Sequence, residues 1–460
     1  MADLPILIPT STRFTGARTA VAPLTWAQRK TWADVQHFLP ETRPFAVLKS
    51  WLPVPQPLSS ADVVELVGEL VGRHESLRTR FEPDEAGVVV QHVVDAGTVE
   101  VLVFQEPMPS ASRMEQLLAW LDDLISAPFD HAAALPVRPV LLAPDGRPHT
   151  LVLAVSHLAV DGQALDVITD ELTAALAARA AGLPAPCPAV GSNPVDEAAF
   201  EQSPAGVRLN QAALAYLGAQ WERIPPSLFG APVAHDAARF RRGELASRVL
   251  PLVLPGLAKR LRTTASVLLL AASVAQLHEL TGQEQIPVNL LCGNRWRPHL
   301  RTCVATLAQA VLATIPVGDR PFAEVVTAAA NAAIRVHRYS RYDTVAADER
   351  LALVAARRGV TFDLECRFND VWSTRPGNLP ELTQDGDGDV DVDPLALDRA
   401  GAASRFAWTE QDDRDKITFY VDAFGDRDTL RLSVLADTYR IPAGSIEAYL
   451  RGVEQRLVAI

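Results

Sequence analysis

Apolar positions along this chain recur with two periods that alternate from one end to the other. Val63, Val64, Val67, Leu70 and Val71 repeat at three and four, which predicts a helix ending near His74 with Ser59 or Ser60 as its N-cap. The same spacing predicts helices over residues 25–39, 112–126 and 163–181, and later over 205–223, 256–261, 266–281, 322–337, 344–358 and 445–458. Short runs rich in Val, Leu and Ile predict strands over 45–52, 77–81, 88–94, 99–104, 137–143 and 150–156. Four more follow over 286–291, 361–368, 418–424 and 430–436. Helices and strands mixed in this way, without a short internal repeat, predict an α/β (α+β) protein.

Residues 182–204 hold five prolines, at 184, 186, 188, 194 and 204, a density that argues against a helix or central strand there and places a lobe boundary. The expected division is an N-terminal lobe over 1–182 and a C-terminal lobe over 183–460. The longest apolar run, residues 265–277, is interrupted by Ser266, Ser273 and Gln276 and is shorter than the ~20 residues that span a bilayer, so it predicts a buried helix. Residues 1–14 lack a basic start followed by a sustained apolar stretch, so no secretory signal is expected.

Composition narrows the choice of function. A formal net charge of −12 disfavours a nucleic-acid partner, which needs a basic face. Cys187, Cys292, Cys303 and Cys366 are far apart and form no zinc-type cluster, and a reducing, cytoplasmic setting is expected. Residues 384–393 (QDGDGDVDVD) begin like a calcium loop, but Val390 and Ala396 stand where that loop needs glycine and glutamate. A solvated acidic loop is the better reading, and no metal is expected.

Chemistry concentrates in residues 151–172, LVLAVSHLAVDGQALDVITDEL, where an apolar strand ends at a histidine and a loop delivers Asp161-Gly162 ahead of a helix. His157 is the one residue there suited to moving a proton near neutral pH. Ser156 precedes it, but neighbours on a strand point to opposite faces, which makes a Ser156–His157 dyad unfavourable. A metal held by His157 and Asp161 would lack further ligands nearby. On the residues alone, a structural histidine is the better reading of His157.

Three motifs extend this reading. SHLAVDG (156–162) resembles the HHxxxDG signature of nonribosomal peptide synthetase condensation domains, members of the chloramphenicol acetyltransferase-like acyltransferases, with Ser156 in place of the first histidine. RHESLRTRF (73–81) is similar to the family's RHExLRTxF, and PLTWAQRKTW (23–32) to its LTxAQxxxW. Downstream, NLLCGNRW (289–296) is similar to the strand that supplies an arginine for the signature aspartate, while VATLAQAVLATI (304–315) stands where the family has GxFVNT without its Gly, Phe and Asn.

The resemblance implies a two-lobed, V-shaped pseudodimer of mixed sheets flanked by helices, with crossover elements between the lobes. It implies amide formation from a carrier-bound acyl or aminoacyl thioester and an amine in a tunnel, as in antibiotic biosynthesis. His157 is the implied catalytic group. Asp161 paired with Arg295, together with Gly162 and Ser156, gives structural support, and Trp296 and Asn369 face substrate. No cofactor is bound by the chain itself; a phosphopantetheine arm arrives on an acyl- or peptidyl-carrier protein. A monomer acting without fused adenylation or carrier segments, and without a membrane, is expected. An ester-forming relative and a non-catalytic carrier-docking module are the alternatives.

Overall fold

Leu151, Leu153 and Val155 are fully buried, and so are Val152 and Ala154 between them. A strand that buries both alternating sets must be covered on both faces, and that explains why residues 150–156 read as a continuous apolar run. The computed structural model describes residues 7–37, 46–107, 111–235, 238–375, 377–379, 404–412 and 417–460. They divide into two units. The first comprises residues 1–210 with the later segments 293–308 and 343–345, and the second holds the remainder.

The first unit contains β1 (Leu7–Thr15), β2 (Ala20–Pro23), α1 (Trp26–His37), β3 (Val47–Pro53), α2 (Ser60–Arg73), β4 (Thr79–Pro83), β5 (Val89–Val93) and β6 (Ala96–Phe104). It continues with α3 (Ala111–Ser126), β7 (Val137–Leu142), β8 (Thr150–Ser156), α4 (Gly162–Ala180) and α5 (Pro194–Gln202). Five strands form a sheet in the order β1-β6-β7-β8-β3, in which only β6 and β7 run parallel. A second sheet has the order β2-β5-β4. Val63 and Val67 of α2 and Ile168 and Leu172 of α4 share one core with Val99, Val101, Leu153 and Val155. Leu121 and Ile125 of α3 share another with Val140, Val152 and Ala154 on the opposite sheet face.

The second unit contains the greater part of α6 (Pro204–Trp221), then β9 (Phe240–Ser247), α7 (Leu250–Arg260), α8 (Ala265–Thr281), β10 (Gln285–Cys292), β11 (Gln309–Pro316), α9 (Phe322–Tyr339) and most of α10 (Thr344–Arg358). Then come β12 (Cys366–Asp370), β13 (Arg405–Asp412), β14 (Phe419–Gly425), β15 (Leu430–Asp437) and α11 (Ala443–Val458). Its seven-stranded sheet has the order β11-β10-β12-β14-β15-β9-β13. Helix α8 is buried from Val267 to Leu277 against this sheet's core, with Thr264 as N-cap and Gly282 closing it at φ 70°. No helix among the described residues is long and apolar enough to cross a membrane.

Several expectations need correction. The first unit runs on to Asn210, beyond the boundary placed at 182. Helix α5 forms in the proline-rich stretch because Pro194 occupies its first turn, where the missing N–H costs no bond. It is tied to the first unit by Arg18–Asp196 at 2.8 Å and by the Trp26 N–H donating to Glu201 at 2.8 Å. Residues 75–78 form a tight helical turn ahead of β4, and the strand expected over 361–368 covers Cys366–Asp370. The acidic run 384–393 and part of the strand expected over 45–52 lie outside the described residues.

Candidate functional site

The site is built on the turn that follows β8. Ser156 closes the strand, its carbonyl accepts from the Ala159 and Val160 N–H groups, and α4 starts at Gly162. His157 stands in this turn, half-buried. Its own N–H donates to the Ala46 carbonyl at 2.7 Å, and its carbonyl accepts from the Thr306 hydroxyl. The ring is held by a 2.9 Å bond from Nδ1 to the Val160 carbonyl. A carbonyl only accepts, so Nδ1 carries a proton, and in that tautomer the ring's lone pair lies on Nε2. That nitrogen has no partner among the described residues.

Asp161 is buried and fully occupied. It caps α4, with Oδ1 accepting from the Ala164 N–H at 2.9 Å. Oδ2 accepts from Arg295 Nη1 at 2.8 Å and from the Leu307 and Ala308 N–H groups at 2.9 and 3.0 Å. Burial alone would raise its pKa; attraction to Arg295 and these hydrogen bonds outweigh burial and hold the carboxyl below its ordinary value. Arg295 also donates to the carbonyls of Gly293, Cys303 and Ala305 at 3.0, 3.2 and 2.8 Å. One ion pair thereby closes the segment 293–308 on itself and fastens it to the histidine turn.

Ser156 and His157 point apart, as strand alternation requires. Ser156 is fully buried, and its Oγ accepts from the Leu158 N–H at 3.2 Å and lies 2.8 Å from Nε2 of His131. The separation suits a Ser-His dyad, but no carbonyl reaches a hydroxyl with no exposed surface. His131 was not expected from the sequence: its partner is 25 residues away and no motif contains it. The buried thiols are no better as nucleophiles, since burial pushes Cys292 up to about 12 and raises Cys366 as well. Among the described residues no group of three or more His, Cys, Asp or Glu is placed to hold a metal.

A Cβ built on Gly162 meets nothing within 4 Å, and its φ lies outside the left-handed region. Neither packing nor backbone conformation in this unit demands glycine there. Trp296 belongs to the same unit and is 55% exposed, with the Arg297 guanidinium 4.7 Å above its ring. Asn369 belongs to the second unit. There its amide donates to Asp422 at 3.0 Å and to the Tyr420 hydroxyl at 3.2 Å, while Arg242 approaches Asp422 at 3.4 Å. Burial raises Asp422 and Tyr420 within this network.

Comparison with known proteins identifies the family and the fold. A family model described as "Condensation domain" matches residues 18–393. Phosphinothricin tripeptide synthetase of Streptomyces viridochromogenes is 28% identical over 297 residues, which is 62% of this chain and 27% of that protein. The chain thus spans about a quarter of the length of that relative. The first condensation domain of the CDA synthetase superposes with a TM-score of 0.67 at 17% identity, covering 95% of this chain and 96% of that one. The epimerization domain from the third module of tyrocidine synthetase B superposes with a TM-score of 0.69 at 15% identity, covering 97% and 98%. At these identities the structures show the shared fold, two units of mixed sheet flanked by helices. With the family model matched over most of its length, the chain belongs to the condensation-domain family of nonribosomal peptide synthesis.

Proposed function

We propose that the chain is an acyltransferase that joins a carrier-protein-bound acyl or aminoacyl thioester to an amine, with His157 handling the proton. The observation that carries this reading is the orientation of His157: Nδ1 is committed to the Val160 carbonyl, so Nε2 is left as an unpartnered base. The acceptor nitrogen attacks the thioester carbonyl, the C–N bond forms and the C–S bond breaks. A proton leaves the nitrogen through His157 Nε2 and ends on the departing sulfur. A thioester is already activated, so no covalent nucleophile is required, in keeping with a buried Ser156 and buried thiols.

Asp161 and Arg295 hold the turn and touch no reacting atom. Gly162 leaves open space at the start of α4, where the pantetheine arm of an acceptor carrier would pass. Trp296 is a candidate wall for substrate. Asn369, with both amide hydrogens engaged by Asp422 and Tyr420, is better read as orienting that network than as a free substrate donor.

Incubation with acyl-carrier thioesters and matched amine and alcohol acceptors, followed by mass spectrometry, tests the proposal. The expected product is the amide. An ester alone would identify an oxygen acylator, and carrier binding without any transfer would make the chain a docking module.

A further inference from the structure

We infer that His131 is a positioning residue for His157, acting through Ser156, on the reading that His157 manages the proton. Where the family signature has a first histidine this chain has a serine, and an imidazole reaches that serine from a different turn. His131 stands between α3 and β7 and is 9% exposed. Its backbone is fixed, because its carbonyl accepts from the Phe81 N–H at 2.8 Å while the preceding Asp130 side chain caps the N–H groups of Ala132 and Ala133. Its ring is enclosed by Trp32, Phe81 and Phe129, with centroids 6.0 to 6.1 Å away.

From this enclosure Nε2 meets Ser156 Oγ at 2.8 Å, and the same oxygen accepts from the Leu158 N–H at 3.2 Å. The backbone on either side of His157 is therefore tied to one hydroxyl, and that hydroxyl is tied to His131. Without His131 the Ser156 side chain is free to rotate away from Leu158, and the turn loses one of the bonds that aim the His157 ring. Burial also holds His131 below its ordinary pKa, although Asp130 pulls it upward, so the ring stays neutral beside the hydroxyl. Ser156 and His131 together form one buried hydrogen-bonded unit in which neither is a nucleophile.

Strand alternation alone would make Ser156→Ala almost silent, whereas this bonded unit makes it a disturbance of the turn. Four forms of the full chain test it: His131→Phe, which keeps a ring within the aromatic enclosure but cannot bond, Ser156→Ala, the two combined, and His131→Ala with Ser156→His. In each, hydrogen exchange of the peptide containing residues 156–161 is measured together with kcat and KM for acyl transfer. Each single variant should speed exchange in this peptide and lower kcat about three- to tenfold, the range set by one net hydrogen bond, with KM unchanged. The double variant should do no more than either alone. Returning an imidazole from the other side with Ser156→His should restore protection and rate.

Unchanged exchange in both single variants, or effects that add in the double, would overturn the inference. If exchange responds as described while the parent protein forms no product, the positioning by His131 stands and the acyltransfer reading fails. The two are thereby told apart.

Discussion

Asp161 is the residue on which the site's geometry converges: one carboxylate takes four hydrogen bonds, three of them from the segment 293–308. Removing it leaves Arg295 buried and strands three backbone N–H groups, so Asp161→Ala should cost about 3 to 5 kcal/mol. Urea unfolding measures this, and a midpoint equal to the parent's would show that the pair contributes nothing. The pH dependence has a definite sign. The folded pKa of Asp161 is depressed, so its contribution is whole above the unfolded value of about 4 and is lost as pH falls through the lower folded value. Asp161→Asn should therefore flatten the stability curve below about pH 4, and an unfolding series from neutral to acid pH checks it. The Asp161–Arg295 pair was legible in the sequence only through the family resemblance. The amides of Leu307 and Ala308 were not, because a backbone N–H needs no particular side chain and so survives the loss of the family's Gly, Phe and Asn. His131 was invisible for the opposite reason, since its meaning lies in a partner that only folding brings near.

At the scale of elements, β8 and α4 were the most legible parts of the chain. Strand β8 is buried on both faces, so its apolar run is unbroken, and α4 begins where Asp161 caps it. Strands β1, β2, β9, β11 and β13 were missed. Edge strand β1 is largely exposed and carries Thr, Ser and Arg, while β9 places Arg241, Arg242 and Glu244 among its buried positions. Such patterns do not stand out from loops. Helix α5 was hidden by the proline density around it, although Pro194 serves as its starter. Gly162 gives this scale its prediction. With open space around its Cβ position, Gly162→Ala should fold with a melting temperature equal to or slightly above the parent's, because alanine is the better helix former. Gly162→Leu should also fold but lose transfer to a carrier-bound acceptor while keeping transfer to a small free amine. Equal loss with both acceptors would remove Gly162 from the path of the pantetheine arm.

At the scale of the whole molecule, the alternation of helix and strand was legible from period, and the division of the chain into its two units was not. The proline-rich stretch 182–204 suggested a boundary, but α5 lies within it and belongs to the first unit. The return of residues 293–308 and 343–345 to that unit leaves no compositional trace. The overall fold also does not choose a reaction, since it is shared with a domain named for epimerization. The choice rests on one imidazole presented by the turn after β8. The most direct test is the single-turnover rate of amide formation from a carrier thioester by the parent protein and by His157→Ala, with circular dichroism and melting temperature confirming that both are folded. Product from the parent and a fall of about 10² to 10⁴ in the variant are expected. A folded His157→Ala protein that forms amide at the parent's rate would contradict the role given to His157.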